Sequence, residues 1–160
     1  MIKDKIKTVK ELVVIVGKLK SNNKKIVTTN GVFDLLHAGH VSYLEKAKAL
    51  GDILIVGINS DSSVKQNKGD KRPINSEVAR LRVMASLESV DYVFLFNEKD
   101  PKTWLGKLKP DIHAKAADYK LSEIIEKAIV EKNGGKIVLI PIEKGFSTTK
   151  TIKKIVDAFS

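Results

Sequence analysis

Hydrophobic positions along this chain switch repeatedly between helical spacing and continuous runs, and the switches mark its elements. Val9, Leu12, Val13, Val16 and Leu19 recur every three or four residues, which predicts a helix over about 8–19 with one face turned to a core. Thr8 stands before that run with Glu11 three residues on, the spacing of a capping box. Ser21-Asn22-Asn23 breaks the helix. Ile26-Val27-Thr28-Thr29 is β-branched throughout and reads as a buried strand. Val41, Leu44, Ala47 and Leu50 return to helical spacing and stop at Gly51, a residue suited to the left-handed position after a helix.

The alternation continues to the end of the chain. Ile53-Leu54-Ile55-Val56-Gly57-Ile58 is an apolar run, as expected of a parallel strand covered on both faces. Residues 76–87 predict a helix capped by Ser76, and residues 90–96 a third strand. Asp100-Pro101 opens a short helix to Leu108, with the proline in its first turn and Trp104 as a core or interface anchor. Residues 109–115 enter a fourth strand, and 121–133 form a helix closed by Asn133-Gly134-Gly135. A fifth strand over 136–141 and a last helix over 147–159 complete the chain. Strands and helices in alternation predict an α/β fold with a parallel sheet. Residues 1–160 form a single domain, its core over about 26–158, with no linker or internal repeat.

The connection Asn30-Gly31-Val32-Phe33-Asp34-Leu35-Leu36-His37-Ala38-Gly39-His40 is where chemistry concentrates. It leaves the carboxyl end of the first strand, the edge at which such sheets bind ligands, and runs into a helix start, which favours anions. Gly39 lets a phosphate approach the backbone. His37 and His40, three apart, can point the same way and donate to phosphate oxygens. The same two histidines also fit a metal pair or an incidental pair. A closed zinc site needs about four ligands, and His113 is the only other histidine in a chain without cysteine.

Two further stretches have double readings. Residues 65–73 are polar and without core residues; they form either a disordered surface loop or a mobile lid bringing Lys68 and Arg72 to phosphates. Ser147-Thr148-Thr149 are ordinary capping residues, or a second anion site at the same sheet edge.

Composition narrows the classes. The 160 residues are 42% hydrophobic, an ordinary globular balance for one domain. No apolar run approaches the roughly 20 residues of a membrane span, and the first residues lack a signal-peptide pattern. The absence of cysteine fits a cytoplasmic location. The net charge of +10 comes mostly from lysines spread along the chain among 19 acidic residues. That distribution fits solvated helix faces and attraction of anionic substrates better than a nucleic-acid patch.

His37-Ala38-Gly39-His40 after Gly31-Val32-Phe33-Asp34 resembles the H-x-G-H signature of the nucleotidyltransferase superfamily, whose members join a nucleoside monophosphate to a phosphorylated acceptor. With it come Asn59-Ser60-Asp61, Lys68-Gly69, Arg72-Pro73, Arg80, Val90-Asp91-Tyr92-Val93, Lys115 with Asp118-Tyr119, and Gly145-Phe146-Ser147-Thr148-Thr149. In that order they resemble the adenylyltransferase domain of bacterial ADP-heptose synthases, from about Lys7 to about Val156.

The resemblance implies a Rossmann-like three-layer sandwich around a five-stranded parallel sheet, order 3-2-1-4-5. It implies AMP transfer from ATP to a heptose 1-phosphate for surface polysaccharide synthesis, with Mg²⁺ carried on the triphosphate and no dedicated protein metal site. His37, His40, Lys115 and Arg80 would be catalytic. Gly31, Val32, Phe33, Gly39, Asp118, Ser147, Thr148 and Thr149 would hold the nucleotide, and Asn30, Asp34, Lys68 and Arg72 the acceptor side. A homodimer is expected, with a separate heptose-phosphate kinase and neither nucleic-acid nor membrane partners. The chain departs from its relatives at Ala116-Ala117, where they carry Gly-Gly, so an added Cβ and a bar to positive φ are expected to bear on nucleotide binding. A glycerol 3-phosphate type cytidylyltransferase is the alternative within the class, although Pro141-Ile142-Glu143-Lys144-Gly145 lacks the arginine such enzymes carry. A non-catalytic nucleotide- or RNA-binding module is the alternative outside it.

Overall fold

The computed structural model describes residues 1–118 and 120–160; Tyr119, from the Asp118-Tyr119 pair, lies outside the described residues. A short helix α1 (Ile2–Lys5) precedes α2 (Val9–Ser21), whose Thr8 and Glu11 form the expected capping box. Then follow β1 (Ile26–Gly31), α3 (Ala38–Lys48), β2 (Ile53–Asn59), α4 (Asp61–Lys68), α5 (Glu77–Ala85) and β3 (Tyr92–Phe96). The second half contains α6 (Lys102–Leu108), β4 (Ile112–Ala116), α7 (Lys127–Lys132), β5 (Lys136–Ile140) and α8 (Thr148–Phe159). The five strands pair in the order β3-β2-β1-β4-β5, every pair parallel. This is the expected Rossmann-like order, and it reverses between β1 and β4.

Alternate residues of the central strands feed opposite faces, which makes the three layers. Val27, Leu54 and Val56 pack with Leu44 and Met84 of α3 and α5. Ile26 and Ile55 pack on the other face with Leu12, Val16, Trp104 and Leu105 of α2 and α6. Trp104 is buried and meets Phe94 edge-on, ring centroids 5.0 Å apart, so it anchors the core. Gly57 makes room for that cluster, because a Cβ there would stand 3.0 Å from Phe94 and 3.3 Å from Trp104. Among the described residues no helix is long and apolar enough to cross a membrane.

Two elements differ from expectation. The polar stretch after β2 is helical as far as Lys68, because Ser60 caps it (Ser63 N–H to Oγ, 3.2 Å) and Val64 anchors it in the core. Only residues 69–75 remain a connection. The helix expected over 121–133 is reduced to a 3₁₀ turn at Leu121–Glu123 and the short α7. Between them Ile124 is extended and buried, and Glu126 turns inward.

Candidate active site

A cleft of about 650 Å³ opens at the carboxyl edge of the sheet, beside the β1/β4 reversal, where open α/β sheets place ligands. Its wall includes Asn30, Gly31, Val32, Phe33 and Asp34, then His37, Gly39 and His40. Lys68 and Arg72 reach it from beyond β2, Lys115 and Asp118 from the end of β4, and Ser147, Thr148 and Thr149 from the start of α8. Residues more than 100 positions apart thus meet at one rim. Two of these segments are tied directly, the Thr148 hydroxyl donating to the Leu35 carbonyl at 3.4 Å.

The histidines are stacked. His37 occupies the position before α3 in extended conformation, and its ring lies 3.8 Å from that of His40 at 21°. Phe33, at φ 49°, sets its ring edge-on to His40, and Phe146 stacks on His37. Gly39 is required here, since a Cβ would come within 2.9 Å of Phe146 Cβ and 3.1 Å of His37 Nδ1. Both Nδ1 atoms are buried without a hydrogen-bond partner. Burial pushes the His37 imidazole below its usual range, and burial followed by the neighbouring His37 pushes His40 down to about 4. The cleft therefore holds neutral rings at pH 7, and an anion beside them would favour their charged form.

This depression has a consequence for stability. Below the unfolded value of 6.5 the unfolded chain binds the His40 proton while the folded chain resists it, so stability is lost as pH falls through that window. Thermal melts from pH 7 to 5 are expected to show Tm falling, with a shallower slope in His40→Gln. Equal slopes would contradict the burial of this ring.

Asp34 is buried and fastens the connection after α4. It accepts from Arg72 Nε at 2.7 Å and from the N–H groups of Ile74 and Asn75, both at 2.8 Å. Burial alone would raise its carboxyl, but the Asn75 and Ile74 N–H groups and Arg72 outweigh it and hold the group below the usual range. The stretch read as a lid or a disordered loop is thus strapped to the cleft wall, and Arg72 itself lines the cleft. Arg80 is placed differently from the other expected residues. It is buried behind the wall, donating to Val32 O at 2.7 Å, Asn75 O at 3.1 Å and Asp61 Oδ1 at 2.8 Å.

Ala116 lines the cleft, yet among the described residues the non-glycine positions of positive φ are Asn23, Phe33 and Lys109. Neither Ala116 nor Ala117 needs the left-handed region, because β4 keeps its pairing and Ala117 N–H donates to Ile140 O at 2.9 Å. Sequence reasoning passed over Tyr43 and Ile142, which also line the cleft. Tyr43 lies one helical turn beyond His40 on the same face and bonds Thr29 at 2.8 Å, a spacing visible in the sequence. Glu126, buried behind Lys115 with Oε1 2.7 Å from its Nζ, has no such signal. Among the described residues no group of three or more His, Cys, Asp or Glu is placed to hold a metal ion.

Comparison with known proteins agrees with this geometry. The family described as Cytidylyltransferase-like matches residues 28–154. The bifunctional protein HldE of Campylobacter jejuni (serotype O:2) is 52% identical over 96% of this chain, and that of Citrifermentans bemidjiense 44% over 97%. In both cases the match covers 32% of the relative, so the chain spans about a third of the length of the curated relatives it matches. Among solved structures, the lipopolysaccharide core biosynthesis protein of Thermoplasma volcanium superposes with TM-score 0.63 at 35% identity, covering 77% of this chain and 99% of that one. A pantoate-beta-alanine ligase from Francisella tularensis, complexed with beta-gamma ATP and beta-alanine, shares the fold at 22% identity, TM-score 0.63, over 95% of this chain and 77% of that one. With the H-x-G-H helix start, the hydroxyl-bearing start of α8 and the reversal point on one rim, the chain belongs to the Cytidylyltransferase-like family of nucleotidyltransferases.

Proposed function

We propose that this chain is a sugar-phosphate adenylyltransferase, moving AMP from ATP to a heptose 1-phosphate for surface polysaccharide synthesis. The observation that carries the reading is the meeting of the His37–His40 stack and the Ser147–Thr149 helix start in one cleft. The similarity to HldE proteins and to a lipopolysaccharide core biosynthesis protein supports the choice of acceptor.

In this reaction a phosphate oxygen of the sugar 1-phosphate forms a bond to the α-phosphorus of ATP. The bond from that phosphorus to the bridging α–β oxygen breaks, and pyrophosphate leaves with the electron pair. The protein's work is positioning and charge stabilisation. The N–H groups opening α3 and α8 face the phosphates, and the rings of His37 and His40 donate to oxygens around the reacting phosphorus. Lys115 adds positive charge, and Lys68 and Arg72 take the acceptor side. The backbone of Gly31, Val32 and Phe33 holds the nucleoside. Mg²⁺ carried on the triphosphate would neutralise charge on its oxygens, with no dedicated protein ligand set proposed. Asp118 lines the cleft and would face the ribose or the metal-bound phosphates.

Pyrophosphate release with ATP or CTP, across a panel of sugar and polyol phosphates, tests this directly. Release is expected with ATP and a heptose 1-phosphate. Release only with CTP and a polyol phosphate would make the chain a cytidylyltransferase. No release with any pair, alongside tight RNA binding, would make it a non-catalytic module.

A further inference from the structure

The cleft-lining Lys115 has behind it a line of polar groups that the sequence motifs do not contain. Its side chain is only 15% exposed, and Nζ lies 2.7 Å from Glu126 Oε1. The same Oε1 lies 3.6 Å from Nε2 of His113, a wholly buried ring. The other ring nitrogen, Nδ1, is 2.9 Å from Thr28 Oγ1, one strand away in the β1–β4 pairing. Polar groups thus run from the floor of β1 through His113 and Glu126 to the ammonium at the cleft.

That line is costly to keep. Apolar residues of similar size generally pack a core as well as a buried ion pair does, or better. The chain also gives up helix here, with Glu126 turning inward just before α7 where a continuous 121–133 helix is otherwise expected. Burial alone would raise the Glu126 carboxyl, but His113 and Lys115 outweigh it and hold the group down at about 2. Burial keeps His113 neutral, so the Glu126–Lys115 pair carries the charge.

We propose that Glu126, backed by His113 and Thr28, is a positioning residue that fixes the Lys115 ammonium in the cleft for a nucleotide's phosphates. The inference rests on the proposed adenylyl transfer for its catalytic consequence, and on the ion pair alone for its structural one.

Glu126→Gln separates the two. With no substrate present, the rate at which an amine-reactive ester acylates Lys115, read by mass spectrometry against Lys46 as an internal control, is expected to rise several-fold. In turnover, kcat for pyrophosphate release is expected to fall about tenfold or more, since small misplacements cost up to about 10²-fold. The same change in a Lys115→Ala background is expected to add little, because the group being positioned is gone. Unchanged labelling of Lys115, or an equal loss of kcat in both backgrounds, overturns the proposal. Raised labelling in a protein whose wild type releases no pyrophosphate supports the positioning role and refutes the adenylyl transfer reading. If Glu126→Gln does not fold, Glu126→Asp carries the test. It keeps the charge and shortens the reach, so raised labelling with lowered kcat is expected, and wild-type values for both overturn it.

Discussion

His40→Ala is expected to lower kcat for pyrophosphate release by about 10²–10³-fold, the usual cost of removing one preorganised donor to developing charge, while Tm moves by only a few degrees. The two halves of this expectation have different origins. His40 lines the cleft against Phe33 and His37, where, in the proposed transfer, a neutral imidazole can donate to an oxygen at the reacting phosphorus. Its contribution to folding is small because two effects oppose each other. Alanine forfeits the ring contacts with Phe33 and His37, but it also removes a buried Nδ1 that has no partner, and leaving such an atom unpaired has a cost of its own. His40→Gln refines the test by restoring a donor of similar reach without the titratable ring. Steady-state pyrophosphate release read beside a thermal melt decides the matter. Turnover equal to wild type in His40→Ala would remove this ring from the mechanism, and a collapse of Tm would make its role structural.

Local chemistry explains which parts of the fold were legible beforehand. The capping pair Thr8–Glu11 and the β-branched and apolar runs of β1, β2 and β5 state their structure in residues adjacent in sequence, and they form as read. The cleft was legible for a related reason, since its backbone donors come from helix starts marked by Gly39 and by Ser147-Thr148-Thr149. What escaped depends on partners far away. α4 reads as a polar loop because its one core anchor, Val64, precedes a run of polar residues, and the cap is a serine whose role depends on β2 ending at Asn59. The 121–133 segment has helical composition throughout, yet Glu126 is drawn inward by Lys115 and His113, which lie on a strand it meets only after folding. The bar to positive φ at Ala116-Ala117 does not strain the chain, because Ala116 stays paired with β5 and Ala117 N–H donates to Ile140 O. The asymmetry is physical: capping and strand propensity act over a few residues, while an inward charge is decided by a tertiary neighbour.

Arg80 is the residue for which sequence and structure point to different roles, and its substitution is expected to have the largest effect on stability. The resemblance brings it to the triphosphate. In the fold its side chain is wholly buried and its three bonds go to Val32 O, Asn75 O and Asp61. Val32 belongs to the loop that lines the cleft, and Asn75 to the segment that Asp34 straps to the wall. One guanidinium therefore joins both sides of the cleft from behind. Arg80→Leu leaves two carbonyls without their donor and a carboxylate without its charge partner, although Asp61, about one-third exposed, recovers water. The expected loss is about 3 kcal/mol, as for a buried hydrogen-bonded group with several partners. At about 2–4 °C per kcal/mol in a domain of this size, Tm falls by about 6–12 °C. Turnover falls as well, even at temperatures where the variant is fully folded, because the loop carrying Val32 loses its support. Arg80→Lys is expected to recover only part of either loss, since a single ammonium cannot replace a planar fork with three targets. The pattern discriminates between the roles. A direct phosphate contact would cost kcat with Tm nearly unchanged, whereas a brace costs both together, and wild-type Tm in Arg80→Leu would return this arginine to the triphosphate.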